Sequence, residues 1–511
     1  MSDFMYACIS GAFTGSASSC NPARTAATNA LGVTPARYRL TLTPLLKTFA
    51  VEADMTGSRR SFLKVSGLAA AGMLVPGAAD PWDEVQHILA RIKPPTFPAR
   101  EFDVTAYGGK ADGKTDNTAA FRKAIEAANA AQGGRVIAKG GTFLTGGITL
   151  LSNVNLHVDK GARLLFSPDP KKYLPMVETR WQGIECMNYQ AFVYANKATN
   201  IAITGQGTLD GQGQTWKPWG SGGSDWSQLQ KWGEQGTPVA QRRLGEGHKL
   251  RPNLIQFVSC ENVLISGITI ERPPMWSVHP VKSRNITVEG VTISSRGGGG
   301  NNDGVDPECC TDVHIKDSTF NTGDDCIAIK SGRDVDGRRV NMPSQHIVIE
   351  NNRFVFSNRG AICIGSEASG GARNIFARNC AVNQANNSDQ LWYAVFIKTS
   401  KYRGGTIENV HFRDITANKL TKSPVFVTLN YSGSGNSGPV VNPVVRNLSF
   451  ERLTVAGSKE YAVEIDGLSA SKVSNVIVSN SKFTSISKGG NKLTNAQNIT
   501  FPGTTVNGKP A

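Results

Sequence analysis

The sequence predicts an all-β protein, a right-handed parallel β-helix (a solenoid) with an N-terminal capping helix. Two observations support this fold class: a short strand–turn–strand phrase recurs along the chain, and one helical stretch precedes it. The chain has 511 residues, enough for a large core, with 54 glycines and only 8% aromatic residues, a composition typical of turn-rich globular folds. Its main body lacks an apolar run of about 18 residues, so we predict no membrane span.

The recurring phrase has two short alternating strands and a polar step between them, as in "NVLISGITI" and "NITVEGVTI". The copies begin at these residues: Asn200, Asn262, Asn285, Asp312, His346, Asn374, Asn409, Asn447 and Asn475. The apolar residues of each copy are expected to point inward and stack on the next coil, and the opening Asn suits a turn. A propeller, the rival all-β fold, would need longer and more regular repeats.

The helical stretch is "DGKTDNTAAFRKAIEAANAAQGG", which ends at Gly133. Asp116 is a plausible N-cap, and the apolar positions follow a helical period. These positions are Ala120, Phe121, Ala124, Ile125 and Ala128. We expect this helix to close the exposed N-terminal end of the solenoid core. A later segment rich in Trp, Gly and Gln, at about 212–250, is too long for a connector and is expected to serve binding.

The N-terminal region is interpreted as separate from the fold. Residues 1–54 have no periodicity or motif, and we expect them to be an upstream extension that is not native to the protein. Residues 55–79 resemble a signal peptide of the twin-arginine type, with Arg59 and Arg60 before a mildly apolar stretch. Residues 80–511 would then form a single catalytic β-helix domain in a bacterial protein exported to the periplasm or secreted.

Charge and cysteine content narrow the possible partners. Without its first 80 residues the chain has 48 basic and 36 acidic residues, a net charge of +12. Such a surplus favours a polyanion, and for an exported protein we expect an acidic polysaccharide rather than nucleic acid. The seven cysteines of this part have no regular spacing, so we predict buried thiols, without a disulfide framework and without the cysteine spacing of a metal site.

Three carboxylates are predicted to converge because residues one coil apart become neighbours. Asp303 lies about one coil before Asp324 and Asp325, and later coils bring Arg359 and Lys398 towards the same surface. Repulsion among the carboxylates would raise at least one pKa, which provides an acid beside a base, as glycoside hydrolysis requires. The same spacing would also suit aspartates that only form turns, or a Ca²⁺ site.

The same residues resemble glycoside hydrolase family 28, the polygalacturonases, over about 100–505. That family has N-T-D, G-D-D, H-G…G-S and R-I-K segments in this order. Here they are "NND" (301–303), "GDD" (323–325), "RGAICIGSE" (359–367) and "FIK" (396–398). Further segments, such as "ETRWQGIECMNYQAFVYA", resemble bacterial and plant members that attack chain ends.

The resemblance implies an inverting hydrolase without a cofactor, acting on pectic polysaccharides. Asp324 would be the general acid, Asp303 and Asp325 would activate water, and Lys398 would bind a galacturonate carboxylate. The remaining candidate substrate-binding residues are Trp276, His279, Asn301, Arg359, Phe396 and Arg403. For Trp276 and His279, ordinary packing is an equally good interpretation.

Two positions depart from the family pattern. Arg359 replaces a histidine thought to tune the acid's proton, and an arginine does not lose its proton at working pH. Phe396 replaces an arginine suited to a carboxylate and offers an apolar face instead. Family members acting on rhamnogalacturonan also lack parts of this pair, so rhamnogalacturonan or a substituted galacturonan is a second candidate substrate. The predicted fold would also suit a Ca²⁺-dependent lyase or a carbohydrate-binding β-helix without activity.

Overall fold

The computed structural model describes residues 80–296, 300–383, 391–433 and 438–511, which belong to one compact unit. The predicted upstream extension (1–54) and signal peptide (55–79) lie outside the described residues. The described α-helices are α1 (Asp83–Arg91), α2 (Thr118–Ala130), α3 (Gly223–Glu234) and α4 (Asp334–Val340). Short 3₁₀ helices span Val104–Tyr107, Pro170–Tyr173, Gly213–Trp219 and Val239–Gln241.

The strands of the first half are β1 (Glu101–Asp103), β2 (Asp112–Asp116), β3 (Gly134–Ala138), β4 (Gly141–Thr145), β5 (Ile148–Thr149), β6 (Val154–Val158), β7 (Ala162–Phe166), β8 (Val177–Trp181), β9 (Ile184–Asn188), β10 (Val193–Asn196), β11 (Thr199–Gly205), β12 (Thr208–Asp210), β13 (Arg243–Leu244), β14 (Ile255–Val258), β15 (Glu261–Ser266), β16 (Thr269–Glu271), β17 (Val278–Val281), β18 (Arg284–Glu289) and β19 (Thr292–Ser294).

The strands of the second half are β20 (Thr311–Lys316), β21 (Thr319–Asn321), β22 (Ile327–Ile329), β23 (Ser344–Glu350), β24 (Arg353–Phe356), β25 (Gly360–Ile364), β26 (Ala372–Val382), β27 (Tyr393–Lys398), β28 (Thr406–Ala417), β29 (Val425–Thr428), β30 (Val444–Glu451), β31 (Thr454–Val455), β32 (Val463–Asp466), β33 (Val473–Ser479), β34 (Lys482–Phe483), β35 (Lys492–Thr494), β36 (Ala496–Thr500), β37 (Thr505–Val506) and β38 (Lys509–Pro510).

Consecutive coils pair in parallel at fixed positions, which makes the structure a parallel β-helix as predicted. Val263 in β15 pairs with Ile286 in β18, and Ile286 pairs with Val313 in β20. All three side chains are fully buried, so the apolar column forms the core of the solenoid. Most phrases supply two strands, as β15 and β16 show, whereas the phrases that begin at Asn374 and Asn409 each form one long strand, β26 and β28.

The residues that open the phrases all have left-handed backbone, with φ between 53° and 57°. Asn tolerates this conformation better than most residues, which explains why it recurs there. Its side chain also links coils: Asn262 donates from Nδ2 to Oδ1 of Asn200 at 2.9 Å, and Asn475 donates likewise to Asn447 at 3.0 Å. The opening residue therefore supports both the turn and the stacking of successive coils.

A second wall of the solenoid carries the strands that precede and follow the predicted site. Strands β5, β10, β14 and β17 form one sheet, and β22, β25, β27, β29, β32 and β35 form another. Val305 forms bridges to both Val278 in β17 and Ile327 in β22, so the two sheets are consecutive stretches of one wall. A separate small sheet contains the antiparallel hairpin β8–β9 and strand β13.

Helix α2 matches the predicted helix, and all five of its predicted apolar positions are buried. It begins one residue later than expected, since Asn117 occupies the N-cap. The Asp116 carboxylate accepts a hydrogen bond from the Thr118 amide at 2.9 Å and so supports the first turn from outside. The helix packs on β1 and β3, two of the first strands of the solenoid.

Helix α1 was not predicted, and it lies along the outside of the solenoid. Val85 and Ile88 are buried against Val348 and Phe376 of β23 and β26. Helix and solenoid thus share an apolar cluster that only the folded coils create, which local sequence does not reveal. Among the described residues, no helix has the length and apolarity needed to cross a membrane.

Candidate active site

The three predicted carboxylates meet on the second wall of the solenoid. Asp303 precedes the bridge residue Val305, and Asp324 and Asp325 precede β22 on the next coil. One oxygen from each carboxylate lies within 4.8 Å of the others. The one-coil spacing in the sequence therefore corresponds to direct proximity in the fold.

Asp325 is the most firmly held of the three. Its Oδ2 accepts a hydrogen bond from Lys398 Nζ at 2.6 Å, and its Oδ1 accepts one from the Cys363 thiol at 3.2 Å. The Gly360 amide also donates to Oδ1, at 3.4 Å. Both Asp325 and Lys398 are buried, so these contacts fix the direction in which the carboxylate faces.

Asp324 is only half-buried, and it faces the cavity described below. The backbone amides of Asn301 and Asp325 donate to its two carboxylate oxygens at 3.2 and 3.0 Å. Burial and the negative charge of Asp325 raise the pKa of Asp324, while the charges of Lys398 and Arg359 oppose this rise. A carboxyl group that stays protonated to higher pH and faces a cavity is suited to donate a proton.

Asp303 is buried, and its backbone carbonyl accepts hydrogen bonds from both the amide and the hydroxyl of Ser277, at 2.9 and 2.8 Å. Burial and the neighbouring Asp306 raise the pKa of the Asp303 carboxyl well above its usual range. Lys330 Nζ lies 3.5 Å from the Asp303 carboxylate and limits this rise. The group is thus a carboxyl whose protonation depends on its neighbours.

Lys330 contacts three carboxyl groups at once. Besides Asp303, its Nζ lies 3.5 Å from Asp306 and 3.2 Å from Glu367, and 4.3 Å above the Trp276 ring. Burial alone would lower the pKa of Lys330, but Glu367, Asp303 and Asp306 raise it well above its ordinary value. Lys330 is therefore a fixed positive charge between Asp303 and Asp306 on one side and Glu367 on the other.

A cavity of about 460 Å³ opens in front of these groups. Its lining residues are Gln182, Ser221, Trp226, Trp276, Gly300, Asn301, Asp303, Asp324, Asp325, Lys330, Arg359, Ser366, Glu367, Lys398, Tyr431 and Gly433. Gln182 belongs to the tip of the β8–β9 hairpin and Trp226 to α3, so two segments outside the regular coils wall part of the cavity. Cation, carboxylate and aromatic groups together suit a charged sugar.

Four of the seven predicted substrate-binding residues line the cavity, namely Trp276, Asn301, Arg359 and Lys398. The Arg359 guanidinium lies 4.5 Å above the Trp392 ring and donates a hydrogen bond to the Asn358 carbonyl at 2.9 Å. Its side chain is half-buried, and its charge acts on Asp324 without an ion pair between them in the described part of the chain.

His279 does not line the cavity, so its predicted contact with sugar is wrong. Its side chain is fully buried behind Trp276, and both ring nitrogens have partners. Nε2 lies 2.8 Å from Glu308, and Nδ1 lies 2.9 Å from the side-chain amides of Asn253 and Gln256. Burial lowers the pKa of His279 in spite of Glu308. Ordinary packing, the second interpretation of the sequence, explains this residue.

Phe396 and Arg403 also differ from their predicted roles. Phe396 is buried, with its ring stacked on Tyr393 and Phe426 at centroid distances of 4.3 and 5.4 Å, behind the cavity lining. Arg403 is fully buried, donates to the Ser366 carbonyl at 3.0 Å and forms an ion pair with Asp334. Both residues thus support the site from behind, and neither is placed to touch a substrate in the cavity.

A divalent cation is chemically compatible with three clustered carboxylates. Two of the three, however, already face a lysine ammonium: Asp325 lies 2.6 Å from Lys398 and Asp303 lies 3.5 Å from Lys330. Two fixed positive charges at this distance repel a cation, so the charge arrangement suits an acidic substrate better than Ca²⁺.

Asp306, Lys330 and Glu367 were not predicted as site residues. Asp306 stands three positions after Asp303, and Lys330 ends the strand phrase "CIAIK". Strand alternation could have indicated Lys330, because it follows the buried Ile329 and so points away from the core. Glu367 ends the segment "RGAICIGSE", but its burial beside two cations depends on contacts between coils.

Comparison with known proteins assigns the family. The family model described as glycosyl hydrolases family 28 matches residues 175–506. A probable polygalacturonase of Vitis vinifera is 30% identical over 75% of this chain and 74% of its own length. An exo-poly-alpha-D-galacturonosidase of Dickeya chrysanthemi is 28% identical over 75% of this chain and 67% of its own.

Among solved structures, the hyperthermoactive exopolygalacturonase of Thermotoga maritima is similar with a TM-score of 0.76. It is 38% identical to this chain and covers 83% of this chain and 97% of its own. The match spans most of the described residues. The chain therefore belongs to glycosyl hydrolase family 28.

Proposed function

We propose that the protein is a glycoside hydrolase that cleaves galacturonosyl linkages in pectic polysaccharides from chain ends. The observation that supports this most directly is Asp324, a carboxyl with a raised pKa that faces a cavity beside two further carboxylates. Cleavage of a glycosidic bond needs such a proton donor together with a carboxylate that activates water. Relatives named as exopolygalacturonases and exo-galacturonosidases support the substrate class.

In this mechanism Asp324 donates its proton to the glycosidic oxygen as the bond breaks. Asp303 and Asp325 together activate the attacking water, whose proton passes to one of them as its oxygen bonds to the anomeric carbon, and the contact with Lys398 keeps Asp325 in position. Lys398 and Arg359 line the same cavity and supply positive charge for the uronate carboxylates of the substrate. Each step uses side chains of this chain, and no cofactor is required.

We propose inversion at the anomeric carbon, as the family resemblance implies. In most inverting enzymes the two carboxyl groups are about 6.5–9.5 Å apart, and in retaining ones about 5–5.5 Å. Here one oxygen of each carboxylate lies within 4.8 Å of the others, so distance does not decide the outcome. Proton NMR of the first sugar released decides it: inversion gives the β-anomer from an α-linked substrate, and an α-anomer contradicts it.

Attack at chain ends is supported by the walled side of the cavity. Three lining residues belong to segments added to the regular coils: Gln182 in the β8–β9 hairpin, Ser221 just before α3, and Trp226 in α3. A groove used for internal cleavage must let the chain pass at both ends, whereas a wall stops it at one end. The wall therefore favours an exo mode.

A second substrate class is favoured by two departures from the family pattern. Arg359 contacts Trp392 and Phe396 packs on Tyr393 and Phe426, so both replacements are integrated into one aromatic cluster. We propose that this cluster alters the preferred galacturonan, and that rhamnogalacturonan or a substituted galacturonan is the second candidate substrate.

The test incubates the protein with homogalacturonan, rhamnogalacturonan and xylogalacturonan oligomers and separates the products by size. Release of one small product from the start supports exo action, and a ladder of intermediate sizes contradicts it. Asp324→Asn should lower kcat/KM at least about 10²-fold, because the proton donor is lost. An unsaturated product absorbing in the ultraviolet would instead indicate a lyase, and no product from any substrate would favour a carbohydrate-binding role.

Three further proposals complete this assignment. We propose that the solenoid is right-handed, as parallel strand connections almost always are. We propose that α2, which packs on β1 and β3, caps the N-terminal end of the core. Residues 55–79 are proposed to direct export by the twin-arginine route, since a pectic substrate lies outside the cell.

A further inference from the structure

Glu367 lies in the wall of the cavity, shortly after β25, and the proposed mechanism leaves it without a role. Its side chain is buried, with about 5% exposed, and this remainder borders the cavity. Among the described residues that line the cavity, Glu367 is the fourth carboxylate, besides the three aspartates. A buried carboxylate facing a sugar site is costly unless its charge is compensated, so its contacts decide what it can do.

Three donors hold the Glu367 carboxylate. Arg333 Nη1 and Ser366 Oγ donate to Oε1 at 3.0 and 2.9 Å, and Lys330 Nζ donates to Oε2 at 3.2 Å. A carboxylate offers about four lone-pair positions, so Oε2 can accept one more hydrogen bond. Burial alone would raise the pKa of Glu367, but Lys330 and Arg333 lower it strongly, so the group only accepts hydrogen bonds.

The walled side of the cavity is where Glu367 lies. A Cβ on Gly183, at the tip of the β8–β9 hairpin, would come within 3.0 Å of Glu367 Cγ and 2.8 Å of Arg333 Cβ. The Arg333 amide donates to the Gly183 carbonyl at 3.0 Å, and its guanidinium lies 4.9 Å above the Trp226 ring. The hairpin and α3 therefore pack against the segment that carries Glu367, so Glu367 lies beside the walled side of the cavity.

The proposed roles orient the substrate in this cavity. The charge of Arg359 acts on Asp324, whereas Lys330 links Glu367 to Asp303. Asp324 protonates the oxygen that leaves with the reducing-side sugar, so that sugar lies towards Arg359. The sugar on the non-reducing side of the bond lies towards Glu367.

We propose that Glu367 accepts a hydrogen bond from the free 4-hydroxyl of the non-reducing terminal galacturonate and thereby selects chain ends. Only the terminal sugar of a 1,4-linked galacturonan has this hydroxyl, because O4 of every internal sugar is in a glycosidic bond and has no proton to donate. A sugar without the hydroxyl leaves the buried carboxylate with an unmade hydrogen bond, which is penalised strongly. This inference rests on the proposed function, and it makes Glu367 the group that restricts hydrolysis to chain ends.

The test compares two trimers on the full-length protein. One is saturated trigalacturonate, and the second carries the 4-deoxy, 4,5-unsaturated uronate that a pectate lyase leaves at the non-reducing end. We expect kcat/KM to be about 10²-fold or more higher for the saturated trimer. In Glu367→Gln, which keeps the shape but loses the charge, this ratio should fall to about 10-fold or less.

Glu308→Gln is the matched control, because Glu308 is equally buried and paired with a cation, Arg180, but does not line the cavity. In Glu308→Gln the ratio of kcat/KM between the saturated and the unsaturated trimer should equal that of the wild type, even if the stability of the variant changes. Equal rates on both trimers, or an unchanged ratio in Glu367→Gln, overturn the inference while the hydrolase assignment stands. Absence of hydrolysis of either trimer and of the polymers overturns both.

Discussion

Among single residues, Arg359 shows best how a departure from a family motif acquires a physical meaning. The structure does not pair it with a carboxylate among the described residues but places its guanidinium over Trp392. Its charge still reaches Asp324, where it opposes the rise of the pKa that burial and Asp325 cause. Where the family pattern has a histidine, this chain has a permanent charge, and this charge lowers the pH at which Asp324 loses its proton.

Arg359→Gln is expected to shift the alkaline limb of the kcat/KM profile to higher pH. With the charge removed, nothing at this position lowers the pKa of Asp324, so the acid stays protonated to higher pH. Arg359→Lys keeps a positive charge and should leave the limb close to its wild-type position. A limb that does not move in Arg359→Gln would show that Asp324 is not the group whose ionisation ends activity.

Cys363 is expected to position Asp325, to which its thiol donates at 3.2 Å. Cys363→Ser retains a donor in a similar volume and should keep kcat within about threefold of the wild type. Cys363→Ala removes the donor and should lower kcat about tenfold with little change in KM, because the base loses one of its fixed contacts. Equal losses in both variants would mean that the residue matters only for packing.

The sequence identified site residues whose type and spacing are unusual. It did not show which polar residues are buried in the wall of the solenoid instead of facing the cavity. Asp303, Asp324 and Lys398 stand at coil intervals, and their convergence follows from the repeat alone. His279 and Arg403 are equally polar but are buried, with their partners supplied by neighbouring coils. No local pattern separates a polar side chain that faces a cavity from one that is satisfied inside the wall.

At the scale of elements, periodicity predicted the strands and α2, because both bury one face at a regular interval. The segment at about 212–250 was expected only to be a long binding loop. It contains α3, which buries Leu229 and contacts β9 with a weakly apolar face. Since its stability depends on tertiary packing rather than on its own pattern, the helix could not be recognised from sequence.

For the whole molecule, the carboxyl groups whose pKa is raised lie together in one place. Among the described carboxyls, the raised pKa values belong to Asp303, Asp306 and Asp324, all at the cavity or directly behind it. Carboxyls paired with cations elsewhere have lowered values, for example Glu350, with a pKa of about 2. The cavity thus concentrates charge that destabilises the fold, as expected of a site shaped by chemistry rather than by stability.

Asp306→Asn is therefore expected to raise Tm at pH 7 by about 1–3 °C while lowering activity. Burial raises the pKa of Asp306, so its ionised form costs more in the folded protein than in the unfolded chain, and Asn avoids this cost. The gain in Tm should vanish below about pH 4, where Asp306 is protonated in the unfolded chain as well.

Glu350→Gln is expected to have the opposite effect and lower Tm at pH 7. Hydrogen bonds from His314 and Arg378 lower the pKa of Glu350, so this carboxylate stabilises the fold above about pH 4.5 and loses that effect towards pH 2. Thermal melts of both variants across this range test the argument, and shifts of the same sign or independent of pH would refute it.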